Sequence, residues 1–101
     1  MKKETIIVKQ EQNGICEIVL NQPEKHNSLS PKMIEELGDA FDLLKEDTKV
    51  KVLIISSTGK SFCAGGDLDW MKKQIFSNRA TRIQEANKLA DLLYKMYQFP
   101  K

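Results

Sequence analysis

Cysteine and histidine are scarce in this chain of 101 residues, with two of the first and one of the second. Cys16 and Cys63 offer neither the number nor the spacing of a disulfide framework or a zinc site, so no metal is expected. They read as reduced thiols packed as small apolar groups. His26 stands far from Cys63 in sequence, and no motif activates that thiol as a nucleophile. Long apolar runs are missing too: none approaches the ~20 residues that span a bilayer. Behind Met1-Lys2-Lys3-Glu4 the apolar stretch is only Ile6-Ile7-Val8, too short for a secretion signal. A cytoplasmic protein without a membrane partner is the default expectation. No charge sign dominates: 16 basic residues face 14 acidic ones, a net +2. That balance, with no basic stripe, argues against nucleic acid as a partner. Repeats, low-complexity tracts and internal linkers are absent.

What is present suits one small globular domain: 41% hydrophobic and 30% charged residues. A chain this short buries a modest share of its surface, so its stability margin is thin. Thr5 to Gln10 and Ile15 to Leu20 are rich in β-branched residues, with Asn13-Gly14 between them. That dipeptide tolerates the positive φ angles of a type I′ turn, which predicts a β-hairpin. After a polar, turn-prone stretch, Ser30 can cap a helix and Pro31 fits its first position. Met33, Ile34, Leu37, Phe41 and Leu44 then recur on one helical face, which leaves Glu35 and Glu36 for the solvated side. Gly38 costs this helix about 1 kcal/mol against Ala, which suggests a close approach by another segment.

Val52-Leu53-Ile54-Ile55 suits a buried strand covered on both faces. A helix between two strands implies a crossover and a parallel pairing. Asp67 to Gln74 reads as a short helix, with Asp67 as its cap. Ser77 or Asn78 can cap a longer one, whose stripe is Ile83, Ala86, Ala90, Leu93 and Tyr97, widened by Leu89, Leu92 and Met96. Phe99-Pro100 ends it. The fold class is α/β: hairpin, helix, buried strand, two helices. The chain ends at Pro100-Lys101 without a polar tail, so residues 1–101 are expected to be the N-terminal part of a larger domain.

Ala64-Gly65-Gly66 lies between a strand and a helix. Adjacent glycines let a ligand approach the backbone, and amides at a helix start are unpaired and partly positive. Such amides suit an anion, or an oxygen that becomes anionic during a reaction. The same residues serve equally as a structural turn that packs a strand against a helix. They are no dinucleotide fingerprint, which needs a third glycine and the turn after the first strand. Nor do Gly59-Lys60 make a phosphate loop, since Ile54 stands where its first glycine belongs.

Two segments together narrow the choice. Leu20-Asn21-Gln22-Pro23-Glu24-Lys25-His26-Asn27-Ser28-Leu29-Ser30 resembles the Asn-x-Pro-x-x-x-Asn-Ala/Ser-Leu motif of enoyl-CoA hydratase/isomerase (crotonase) enzymes. Phe62-Cys63-Ala64-Gly65-Gly66-Asp67-Leu68 resembles their Phe-x-Ala-Gly-x-Asp-Leu/Ile motif. The resemblance runs from the hairpin to Pro100 and implies the first part of a spiral of ββα units. It also implies acyl-CoA thioester substrates and an enolate held by two backbone amides, with hydration of a 2-enoyl-CoA as the full-length reaction. Coenzyme A would be part of the substrate, and no separate cofactor is implied.

By position, the resemblance makes Gly66 one oxyanion donor, through its N–H. Lys25, His26, Ser28, Ala64, Gly65, Gly66, Asp67 and Leu68 become the substrate- and CoA-binding residues. The second donor and the two catalytic glutamates would lie beyond Lys101, so the 101-residue chain alone is expected to be inactive. Asp67-Leu68-Asp69-Trp70-Met71 is similar to a stretch of some bacterial methylglutaconyl-CoA hydratases, although a Trp on a short helix more often packs. Full-length members form trimers or pairs of trimers, so a homo-oligomer is implied. The competing expectation is an inactive fragment, or a non-catalytic interaction module of the same fold.

Overall fold

The computed structural model describes residues 3–101. Met1 and Lys2, half of the basic start considered above, lie outside the described residues. Three strands and three helices follow one another: β1 (Ile6–Gln10), β2 (Ile15–Leu20), α1 (Pro31–Glu46), β3 (Val52–Ser57), α2 (Leu68–Ile75) and α3 (Arg79–Tyr97). The mixed α/β class expected from the sequence is what the chain adopts. No helix among the described residues is long and apolar enough to cross a membrane.

The hairpin forms because Asn13 and Gly14 both take positive φ, 72° and 81°. Its loop is a tight turn over Gln12–Gly14, closed by the Glu11 N–H donating to the Ile15 carbonyl at 2.8 Å. β1 and β2 pair antiparallel from Ile6 opposite Leu20 to Gln10 opposite Cys16. After α1 crosses over, β3 returns parallel to β2, with Ile15 opposite Val52 and Leu20 opposite Ser57. The sheet order is β1-β2-β3.

Alternation puts Cys16, Ile18 and Leu20 of β2 on one face, buried. Met33, Ile34, Leu37, Phe41 and Leu44 of α1 join them in the core. The helix starts as expected, with the Met33 N–H donating to the Ser30 hydroxyl at 3.2 Å and Pro31 at its first position. Burial pushes the Cys16 thiol up from its ordinary pKa, and the charge of Asp47 adds to that, so it stays protonated and inert.

Four expectations need correction. Among the described residues β3 is an edge strand, and its Val52 and Ile54 are about half exposed, so these residues cover only one of its faces. An apolar run states what a strand can bury, and nothing about what lies opposite it. α3 packs through the residues that widen the expected stripe and not through its centre: Leu92 is buried and Leu89 packs on the core, as does Phe99 beyond the helix, while Ile83, Leu93 and Tyr97 are exposed. The helix carries more apolar positions than one contact can cover. Phe99 meets Phe41 edge to face, with centroids 5.6 Å apart. A Cβ at Gly38 would meet the Lys95 ammonium at 3.6 Å, an ordinary contact, and among the described residues no backbone of another segment lies within 4 Å of it.

Glu36 is the fourth. It is buried, and its carboxylate accepts from the Glu4 and Thr5 amides at 2.8 Å each and from the Thr5 hydroxyl. This clamp ties the chain entering β1 to α1. Burial pulls the carboxyl's pKa up, but the three hydrogen bonds and the Lys32 charge outweigh it. The net position is below the ordinary value.

Candidate active site

Two loops build the site, one after β2 and one after β3. The first begins with a 3-10 turn at Pro23–Lys25, after which His26 and Asn27 both take left-handed φ, 52° and 54°. Two such residues in a row cost energy, and Asn27 supplies the compensation. Its fully buried side chain accepts from the Gln22 N–H at 2.7 Å. Its amide donates to the Thr58 and Ser61 carbonyls at 2.7 and 3.0 Å, which joins the first loop to the second.

Backbone rungs continue that junction. The Ala64 N–H donates to the His26 carbonyl (3.0 Å), the Leu29 N–H to Gly65 (2.6 Å) and the Asp67 N–H to Leu29 (3.0 Å). In this parallel bridge Leu29 bonds to the residues on either side of Gly66. Gly66 therefore turns its own N–H and carbonyl away from that strand. Among the described residues no hydrogen bond engages the Gly66 N–H.

α2 begins directly after the bridge. Asp67 caps it, with Oδ2 accepting from the Trp70 N–H at 3.0 Å. The Ser28 hydroxyl lies 3.4 Å from Oδ1, and the Asp67 carbonyl accepts from the Met71 N–H. The positive end of α2 thus lies next to the unspent amide of Gly66.

An open cleft of about 430 Å³ runs across this junction. Lys25, His26, Ser28, Ala64, Gly66, Asp67 and Leu68 line it, seven of the eight residues the sequence nominated. Gly65 does not line it. It makes the bend at φ +97°, and its carbonyl accepts from the Leu29 N–H. Asp67 faces the cleft, but its carboxylate is occupied within the turn. Asp69 completes the lining and was not nominated. Its place in the first turn after the cap was the available signal. Ser61 was missed as well: its hydroxyl lies 3.3 Å from His26 Nδ1. Only tertiary structure brings those two together. Trp70 packs against the core, as the packing reading of that residue had it.

The profile described as Enoyl-CoA hydratase/isomerase matches residues 10–101. This chain belongs to the enoyl-CoA hydratase/isomerase family. A trans-2-decenoyl-(acyl-carrier-protein) isomerase of Streptococcus mutans is 34% identical over 84 residues, 83% of this chain and 31% of that protein. A crystal structure of an enoyl-CoA hydratase from Shewanella pealeana superimposes with a TM-score of 0.94 at 30% identity, over 99% of this chain and 37% of that one. An enoyl-CoA hydratase from Bacillus anthracis gives 0.87 at 26% identity, over 97% and 37%. The family member described here therefore spans well under half the length of these relatives. Among its described residues no group of histidines, cysteines and carboxylates could hold a metal ion.

Proposed function

We propose that this chain provides the coenzyme-A-binding loops and one oxyanion donor of an acyl-CoA-transforming site, and that the reaction it serves is hydration of a 2-enoyl thioester. The observation that carries this is the unspent N–H of Gly66 on an open cleft beside the start of α2. When water or a proton adds to an unsaturated thioester, negative charge gathers on the carbonyl oxygen. A fixed amide aimed there stabilises that charge without reorganising, and one such donor is worth about 3 kcal/mol of barrier. Lys25 and His26 at the mouth suit the phosphates of coenzyme A, and the Ala64–Leu68 backbone forms the wall along which the thioester would lie.

Hydration also needs a general base and acid on the water. Among the described residues the cleft carries Asp67 and Asp69 and no glutamate. Asp67 is committed to the α2 cap, so the 101-residue polypeptide on its own is expected to bind without turnover.

The test uses acetoacetyl-coenzyme A, whose enolate places charge on the oxygens that the amide would hold. Calorimetric titration should show it binding more tightly than coenzyme A. Gly66→Ala should preserve the difference. Gly66→Pro removes the N–H but none of the rungs, which belong to residues 65 and 67. It should reduce the difference by about tenfold or more. Equal affinity of the wild type for both ligands would count against the reading. So would crotonyl-coenzyme A losing its enoyl absorbance when mixed with the chain, as regards the missing acid and base.

A further inference from the structure

We propose that the outer edge of β1, with the groove between β1 and α1, is a docking surface for β3 of a second copy of this chain, so that copies join head to tail. The surface shares no lining residue with the acyl-CoA cleft and does not depend on that reading.

The rungs of the sheet decide which backbone groups each edge leaves open. The Glu11 N–H donates to the Ile15 carbonyl and the Asn21 N–H to the Thr5 carbonyl, so the odd-numbered residues of β1 turn to β2. Ile6, Val8 and Gln10 therefore point their N–H and carbonyl away from the sheet. At the other edge the Thr58 N–H donates to the Leu20 carbonyl, which turns the even-numbered residues of β3 to β2 and leaves Leu53 and Ile55 pointing outward. Among the described residues no strand pairs with either edge. Beside the β1 edge lies a groove of about 620 Å³, whose apolar lining comes from Ile6 and Val8 of the strand and from Ala40, Leu43 and Leu44 of α1. Leu43 is 71% exposed, although α1 buries its other leucines.

β3 fits this edge by length, pattern and charge. β1 has five residues and β3 has six. Run antiparallel to β1, the β3 of a second copy sets Ile55 opposite Ile6, Ile54 opposite Ile7 and Leu53 opposite Val8. The open backbone groups of Ile6 and Val8 then face those of Ile55 and Leu53, and apolar residues meet on both faces of the joint. The same alignment brings Lys51 opposite Gln10, whose side chain donates to the Asp47 carboxylate at 2.9 Å. Lys49 follows two residues further along, next to Glu11. The acidic end of the groove thus receives the basic entry to β3. A parallel alignment would carry those lysines to the opposite end, where Lys3 lines the groove. The pairing is heterologous. The docked copy still presents its own β1 edge and the first copy its own β3, so the chain of contacts does not close on itself.

Sedimentation velocity of the 101-residue chain and its variants tests this, with circular dichroism as the check on folding. Two double variants each spoil one side of the joint. Val52→Lys, Ile54→Thr damages β3 alone and places a lysine opposite Lys9. Ile7→Lys, Leu43→Lys damages β1 and its groove alone, at positions 39% and 71% exposed. Each should sediment as a monomer at concentrations where the wild type associates. Their equimolar mixture should form a one-to-one dimer that does not grow, because each variant supplies the side that the other has lost. Lys51→Glu should weaken association of the wild type, since it brings a carboxylate to Asp47; unchanged or stronger association would overturn the antiparallel alignment. Should the β1 double variant lose its circular dichroism, Val8→Pro replaces it, removing an outward N–H and none of the rungs to β2. A folded β1 variant that associates as the wild type does would assign the joint to two β3 strands or to the helix faces and overturn the proposal. A mixture that stays monomeric overturns it too, as does a wild type that sediments as a monomer throughout.

Discussion

At the scale of single residues, the two glycines before α2 do different work. Gly65 has φ +97° and open space where a Cβ would go. Its need for glycine is therefore conformational. Gly66 has no such angle, and a Cβ there would meet Met71 Sδ at 3.4 Å and Trp70 Cζ3 at 3.8 Å, ordinary contacts. Gly65→Ala should cost about 1 kcal/mol or more in urea denaturation, and Gly66→Ala should lie within about 0.5 kcal/mol of the wild type. Equal costs at both positions would show that the bend is shared. The sequence displayed the pair and its place between strand and helix. It could not say which glycine bends and which presents its amide, because that depends on how Leu29 takes its rungs. Asn27 was legible as a motif residue, but its grip on Thr58 and Ser61 was not, since those carbonyls arrive from a loop thirty-odd residues away.

Between elements, the periodicity of α1 and the turn chemistry of the hairpin were readable because each rests on local pattern. The Glu36 clamp was not. A carboxylate beside the apolar stripe of a helix looks solvated until another segment brings donors to it. Its partners are the amides of Glu4 and Thr5 and the Thr5 hydroxyl, and backbone amides leave no trace in side-chain pattern. The clamp has a pH signature. The folded pKa of Glu36 lies below its ordinary value, so the stability it contributes is fully present above the unfolded value of about 4.3. That stability is lost as pH falls through the lower folded value. Asp42, held down by the Lys95 ammonium, and Asp47, held down by the Lys49 amide, titrate in the same direction. The wild-type acid limb is therefore composite. Glu36→Gln keeps the shape and removes the charge. It should cost about 1–3 kcal/mol near neutral pH and converge on the wild type in acid, as read by urea midpoints across pH. A constant gap down to low pH would mean that the charge is not what the amides recognise.

For the whole molecule, the apolar pattern and the shape point the same way. The chain exposes 6986 Å². A closed monomer of 11.6 kDa would expose roughly 5,800 Å² by the usual size scaling. Its radius of gyration is 14.4 Å, against about 12.7 Å for a compact chain of this length. The excess goes with apolar side chains left uncovered: Val52 and Ile54 on the outer strand, Ile75 and Phe76 at the end of α2, and Ile83, Leu93 and Tyr97 on α3. These residues include the positions where sequence expectation and structure parted, the second face of β3 and the second stripe of α3. Pattern correctly marked them as surfaces suited to burial, and the described chain places nothing against them. An uncovered edge strand with apolar outward residues favours association. Sedimentation velocity should therefore show mass rising with concentration in the micromolar range. The doubly substituted Val52→Lys, Ile54→Thr chain should stay monomeric over that range with its circular dichroism unchanged. β3 keeps its parallel pairing with β2 in that variant, since the changes touch only outward positions. A wild-type chain that sediments as a monomer throughout would show that these side chains tolerate water, and that the surface excess reflects shape alone.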